Sequence, residues 1–182
     1  MKTGNLQNFK ARVCSAFSES TFEECSLDTS NSCSLINNSD LGVYNFDSIT
    51  EVLVKQHLDN PKCKMPDSLD SLYLEEESII FVEFKNVFWH KINSDEIRMK
   101  IYESIALICK IYDLNRDDIK DTKIYIIHKP NADKPETHMF TNGLCPNNFF
   151  FLEETLGVEI LRYDATNFEE YLREYRVLPS RD

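Results

Sequence analysis

With 182 residues, 42% of them hydrophobic and 12% aromatic, the chain can bury one sizeable core and is short for two. Twelve Phe and eight Tyr against four Gly and six Pro exclude disordered, fibrous and low-complexity classes. The formal net charge of −11 excludes nucleic-acid binding through a global basic field and leaves it only a local patch.

No stretch nears the ~20 apolar residues of a membrane span. The opening MKTGNLQNFKARVC lacks the apolar run of a secretory signal, so a cytoplasmic protein with no membrane contact is expected. The six cysteines, at 14, 25, 33, 63, 109 and 145, include no C-x-x-C pair and hence no zinc-ligand spacing. They are expected as reduced thiols, with Cys109 a small core residue on a helix.

Residues 1–43 read as a polar, partly irregular extension: CSLDTSNSCSLINNSD is rich in Ser, Asn and Asp, and only FKARVCSAF suggests a short strand. A single α/β domain is expected over 44–182. In FDSITEVLVKQHLDNP, Ile49, Leu53 and then Gln56 or His57 fall at helical spacing; Ser48-x-x-Glu51 has the form of a capping box, and Pro61 ends the helix. Two strand runs follow, DSLYLE and SIIFVEFKN, joined by an acidic turn. NSDEIRMKIYESIALICKIYDL then sets Ile97, Ile101, Ile105, Ile108 and Tyr112 on one helical stripe capped by Asn93 or Ser94. TKIYIIHKP is a strand stopped by Pro130. NNFFFLEETLG is a helix closed by Gly157, VEILRYD a strand, and NFEEYLREY a last helix. Met99 and Phe149, Phe150 and Phe151 are expected in the core. Alternating strands and helices predict a three-layer α/β fold on a mixed sheet.

The hairpin carries the informative charges. Glu83 and Lys85 interrupt an otherwise apolar strand, where an unpaired buried charge costs several kcal/mol. With Glu76 and Glu77 as the turn, Glu75 faces Ser78, and stepping outward sets Asp70 across from Glu83, about 4.5–5.5 Å apart at Cβ. Lys85 shares their face. Two carboxylates so close need a proton or a cation between them. Oxygen ligands of this kind suit Mg²⁺, which polarises a phosphodiester and acidifies a bound water that a nearby lysine can orient. Metal-assisted phosphodiester hydrolysis is the chemistry this pattern predicts.

Asp70, twelve residues, then Glu83-Phe84-Lys85, followed by a helix from about Asp95, resembles the PD-(D/E)xK nuclease superfamily. The resemblance covers roughly residues 44–130. It implies a restriction-endonuclease-like αβββαβ core and a Mg²⁺- or Mn²⁺-dependent endonuclease. Asp70 and Glu83, with the Phe84 carbonyl, become metal ligands, and Lys85 positions the attacking water. Glu51 matches the glutamate that many members carry on the first helix. The literal Pro66-Asp67 also occurs, but Asp67 lies three residues from Asp70 and alternation turns it to the other side of the sheet. Lys91, Arg98, Lys100 and Lys129 are expected as a basic strip for nucleic acid, DNA or RNA. The acidic overall charge departs from the family and favours an alternative: a non-catalytic module on the same scaffold, binding a basic protein as inhibitors or immunity proteins do, or serving as an assembly subunit. A homodimer is compatible with either reading. His90, His128 and His138 are read as structural, with substrate contact the alternative, and the loop HKPNADKPETH, with Lys129 and Lys134, as polar connection, with phosphate contact the alternative.

Overall fold

The computed structural model describes residues 4–28, 32–37, 41–57, 64–130 and 149–175. In chain order the elements are α1 (Gly4–Ala16), β1 (Ser20–Thr21), α2 (Phe22–Cys25), β2 (Leu27–Asp28), β3 (Cys33–Ser34), β4 (Gly42–Asn45) and α3 (Phe46–His57). There follow β5 (Ser71–Leu74), β6 (Ile79–Lys85), a 3-10 turn (Trp89–Lys91), α4 (Ser94–Tyr112), α5 (Arg116–Ile119), β7 (Lys123–His128), α6 (Phe150–Leu156), β8 (Glu159–Asp164) and α7 (Ala165–Tyr175). Pro61, Cys63, Lys134, His138 and Cys145 lie outside the described residues.

The main sheet is mixed and six-stranded, in the order β1-β4-β5-β6-β7-β8. From β1 to β6 neighbours are antiparallel, and β6, β7 and β8 are parallel. Among the described residues two strands, β5 and β6, separate α3 from α4; the third long antiparallel neighbour, β4, precedes α3. β6 is central, which is why IIFV can be apolar on both faces.

Alternation on β6 builds two cores. Ile79 and Phe81 face α1, α3 and α4; Ile80 and Val82 face Phe22, Phe168 and Leu172 on the other side. Full burial of each such side chain contributes roughly 1.5–3 kcal/mol before entropy is counted. The stripe Ile97, Ile101, Ile105, Ile108 and Tyr112 of α4 is buried as its spacing requires, and Asn93 caps it by accepting from the Asp95 N–H at 3.1 Å. Gly157 ends α6 with φ +75, a conformation that costs glycine nothing.

Four expectations are corrected. FKARVCSAF is not a strand: Leu6, Phe9 and Val13 recur at helical spacing and are fully buried by α1 against the main core, so residues before 43 contribute packing as well as loop. α3 is capped by Asn45 Oδ1, which accepts the Ser48 N–H at 2.8 Å, because the helix starts two residues ahead of Ser48. Met99 is 52% exposed, since it falls beside the buried stripe. Of the Phe149–Phe151 run only Phe149 is buried; Phe150 and Phe151 sit on the outer side of α6. Short pieces that the polar composition hid include α2 and α5, each a capping box: Thr21 with Glu24, and Asn115 with Asp118.

Candidate functional site

The hairpin register is the one the turn arithmetic predicts: Leu74 faces Ile79, Tyr73 faces Ile80, Leu72 faces Phe81 and Ser71 faces Val82. Glu75 N donates to Ser78 O at 3.1 Å across the two-residue turn. A Glu-Glu turn lacks the left-handed preference of Asn-Gly, and Lys10 of α1 supplies the missing support. Its buried ammonium donates to Glu75 O at 2.6 Å and Glu76 O at 2.9 Å.

One step beyond the last ladder pair, Asp70 stands opposite Glu83. Its carbonyl accepts the Phe46 N–H at 3.0 Å, and its Oδ2 accepts the Phe84 N–H at 2.6 Å. The preceding Leu69 N donates to Ser104 Oγ of α4 at 3.0 Å. Three elements therefore fix Asp70: the start of α3, the middle of α4 and the neighbouring strand.

Glu83 is fully buried and shares the face of Phe81 that looks at α4. Lys100 Nζ lies 2.8 Å from its Oε1, donates to its Oε2 at 3.1 Å, and reaches Asp70 Oδ1 at 3.4 Å. Lys85 Nζ lies 3.1 Å from Glu83 Oε1 and 2.5 Å from Glu96 Oε1. Both ammoniums are at ion-pair distance from Oε1, yet neither makes a directed hydrogen bond to it. Asp70, Glu83 and Glu96 thus share the ammoniums of Lys85 and Lys100, a cluster with more acid than base.

Burial, and then the neighbouring Asp70 charge, push the Glu83 carboxyl up to about 7 despite both lysines. Burial also raises Asp70, opposed by Lys100 and by the Phe84 N–H. For Lys85 and Lys100 burial works against the charged form, but Glu83 with its acidic neighbours outweighs it, and both are held above the ordinary lysine value. Glu96 is lowered, chiefly by its hydrogen bond from Lys85.

The other expected residues make no ion pair with Asp70 or Glu83, though Glu51 and Asp67 line an adjoining cleft with Asp47 and Lys100. Glu51 points to solvent and pairs with Lys55 at 2.5 Å. The residue of α3 whose charge acts on Asp70 and Lys100 is Asp47, missed in the sequence; its carboxylate accepts from Ser68 Oγ. Asp67 is exposed and faces Lys64 at 3.6 Å. Arg98 pairs with Asp95 at 3.1 Å. Lys91 and Lys129 are exposed and flank the Phe88 ring. A cleft of about 510 Å³ opens on Asp70 and Lys85, walled by Glu24, Asp28 and Asp47.

No family model, no curated protein and no solved structure matches this chain. Among the described residues no three His, Cys, Asp or Glu side chains converge as a metal cluster, and no helix is long and apolar enough to cross a membrane. Cys14, Cys25, Cys33 and Cys109 are free thiols, and Cys109 packs against the core from α4. Burial raises the thiols of Cys25 and Cys109 to about 11, which removes both as thiolate nucleophiles at neutral pH.

Proposed function

We propose that the chain is a metal-dependent nuclease on a restriction-endonuclease-like scaffold. The observation that carries this reading is a cation shared by Asp70 and Glu83, the Lys100 ammonium, with Lys85 alongside. The run α3-β5-β6-α4-β7 with β4 beside β5 supports that scaffold, with one antiparallel strand placed ahead of the first helix.

The acid pair suits a hard divalent cation: Glu83 Oε1 is buried without a directed hydrogen bond, and the two carboxylates repel unless positive charge lies between them. Asp70 and Glu83 would hold Mg²⁺ or Mn²⁺, with the Phe84 carbonyl as a further ligand. The bound metal would polarise the phosphodiester and acidify a water. Lys85, tethered between Glu83 and Glu96, orients that water and stabilises charge on the phosphate. Lys100 screens the acid pair, and a metal held there would take over that screening. Glu51 pairs with Lys55 and makes no ion pair with Lys85 or Lys100, although it lines a neighbouring cleft with Asp47 and Lys100.

Incubating the purified protein with Mn²⁺ and single- or double-stranded DNA and RNA tests the reading. Cleavage that Lys85→Ala abolishes supports it; no cleavage of any of these, with Lys85→Ala indistinguishable, overturns it.

The acidic wall of the cleft favours a second reading, a non-catalytic module that takes a basic protein partner against Glu24, Asp28 and Asp47. Calorimetry separates the two. Heat on adding Mn²⁺ supports the nuclease, and no heat together with tight binding of a basic protein supports the module.

A further inference from the structure

A second group of cations gathers at the carboxyl edge of the parallel strands. There Lys85, His128 and Asp164 lie in register across β6, β7 and β8, at the side where open α/β sheets hold ligands. The chain leaves β6 through Asn86–Lys91 and leaves β7 at Lys129. Lys129 N donates to Val87 O at 3.0 Å and clips the two exits together.

At this clip the rings of Phe88 and His90 stack, 6.0 Å apart and 11° from parallel. The ammoniums of Lys91 and Lys129 lie 5.8 and 5.9 Å from the centre of the Phe88 ring, and the Arg162 guanidinium lies 4.8 Å over Trp89. Energetically significant cation–π contacts occur roughly once per 70–80 residues. Here Phe88 and Trp89, adjacent in sequence, gather all of those found among the described residues. Phe88 is half-buried as a floor, whereas His90, Lys91 and Lys129 are exposed. Among the described residues neither Lys91 nor Lys129 is in an ion pair, in contrast to Arg98, which Asp95 holds at 3.1 Å.

We propose that the Phe88–His90 stack, with Lys91 and Lys129, is a docking surface for single-stranded nucleic acid. The surface rests on the nuclease reading and names its substrate class. An unpaired base can lie on the exposed imidazole, and the flanking phosphates meet the two ammoniums. A duplex keeps its base faces inside the helix and offers only phosphates, so the ring stack adds nothing for it. Only Asn86 and Val87 separate Phe88 from Lys85, which sets a strand bound here beside the acid pair. An acidic peptide would match the lysines but would leave the rings without a partner.

Fluorescence anisotropy of a labelled oligothymidylate, an oligouridylate and a matched duplex, in EDTA at several salt concentrations, tests this surface. The strands are expected to bind more tightly than the duplex. His90→Ala should weaken strand binding about fivefold. The pair Lys91→Gln and Lys129→Gln should weaken it more than about tenfold and flatten the salt dependence by roughly 0.7 in log–log slope per lost phosphate contact. All three side chains are exposed, so the variants are expected to melt as the parent does. Variants that bind strands like the parent, a duplex preferred over strands, or oligoglutamate bound as tightly as strands would each overturn the docking surface while leaving Mn²⁺-dependent cleavage standing. A parent protein that binds no strand in EDTA and cuts nothing with Mn²⁺ overturns both.

Discussion

Lys100 and Glu83 are in direct contact: the ammonium lies 2.8 Å from Oε1 and donates to Oε2 at 3.1 Å, and Glu83 has no exposed surface. Stranding a buried charge outright costs about 3–5 kcal/mol, but Lys85 stays 3.1 Å from Oε1 and Glu83 can take up a proton, so the loss should be smaller, about 1–3 kcal/mol. In EDTA, Lys100→Met should therefore melt lower, by on the order of 2–10 °C for a chain of this size. Because the same ammonium competes for the carboxylates, Mn²⁺ should raise the melting temperature of the variant more than that of the parent. Equal Mn²⁺ shifts in the two proteins would show that Lys100 and the metal do not share a position.

Stability should fall as pH rises from about 5 to 7. Glu83 is raised from 4.5 to about 7 in the folded chain, chiefly by burial and then by Asp70. Between those values the folded protein holds a proton that the unfolded chain has released, so raising the pH favours unfolding. Asp70 is raised too and acts in the same direction. Lys85 and Lys100 are raised and titrate far above this window. The loss should be on the order of 1–3 kcal/mol. Urea midpoints of Glu83→Gln should be flatter over this range, and an unchanged slope in the variant would assign the dependence to other groups.

The hairpin was legible because its information is local: strand alternation and a two-residue turn fix the Asp70–Glu83 opposition without knowledge of the rest of the chain. The Lys100 contact was less so, although α4 carries the signal. Glu96, Lys100 and Ser104 recur every four residues beside the buried Ile97–Ile101 stripe, and each meets a different part of the site. Glu96 holds Lys85, Lys100 spans the acid pair, and Ser104 accepts the Leu69 N–H. The spacing of Glu51 from Ser48 suggested a cap, but Asn45 caps the helix and Lys55, one turn on, takes the Glu51 charge. The role of α1 was hidden by its mixed composition, since Leu6, Phe9 and Val13 are interrupted by polar residues. What they pack against lies far along the chain, and no local pattern records it.

Lys85 should act as a fixed cation. Glu83 and Glu96 outweigh the effect of burial and hold it above the ordinary lysine value, so it stays protonated through neutral pH. The pH–rate profile of cleavage should therefore show no loss from Lys85 deprotonation through neutral pH. Lys85→Arg keeps the charge and should retain part of the activity. Lys85→Met should lose about 10²–10³-fold, the scale for one preorganised donor. Equal loss in both variants would point to a role for the amine beyond its charge.

Lys10 should set the register of the hairpin from a distance. Its ammonium bridges Glu75 O and Glu76 O, at 2.6 and 2.9 Å, in a turn whose residues have no intrinsic preference for it. Lys10→Met keeps the aliphatic stem packed and removes only the donor. The expected cost is about 1–3 kcal/mol, since two carbonyls lose a charged partner. Denaturant unfolding should show a lower midpoint with unchanged slope. Amide exchange should then accelerate at Glu75 N, whose bond to Ser78 O closes the turn at 3.1 Å. Loosening there shifts Asp70 against Glu83, so Mn²⁺ affinity should fall in the same variant although Lys10 touches neither carboxylate. A midpoint within about 0.5 kcal/mol of the parent, the range of ordinary surface substitutions, would show that the turn holds without Lys10.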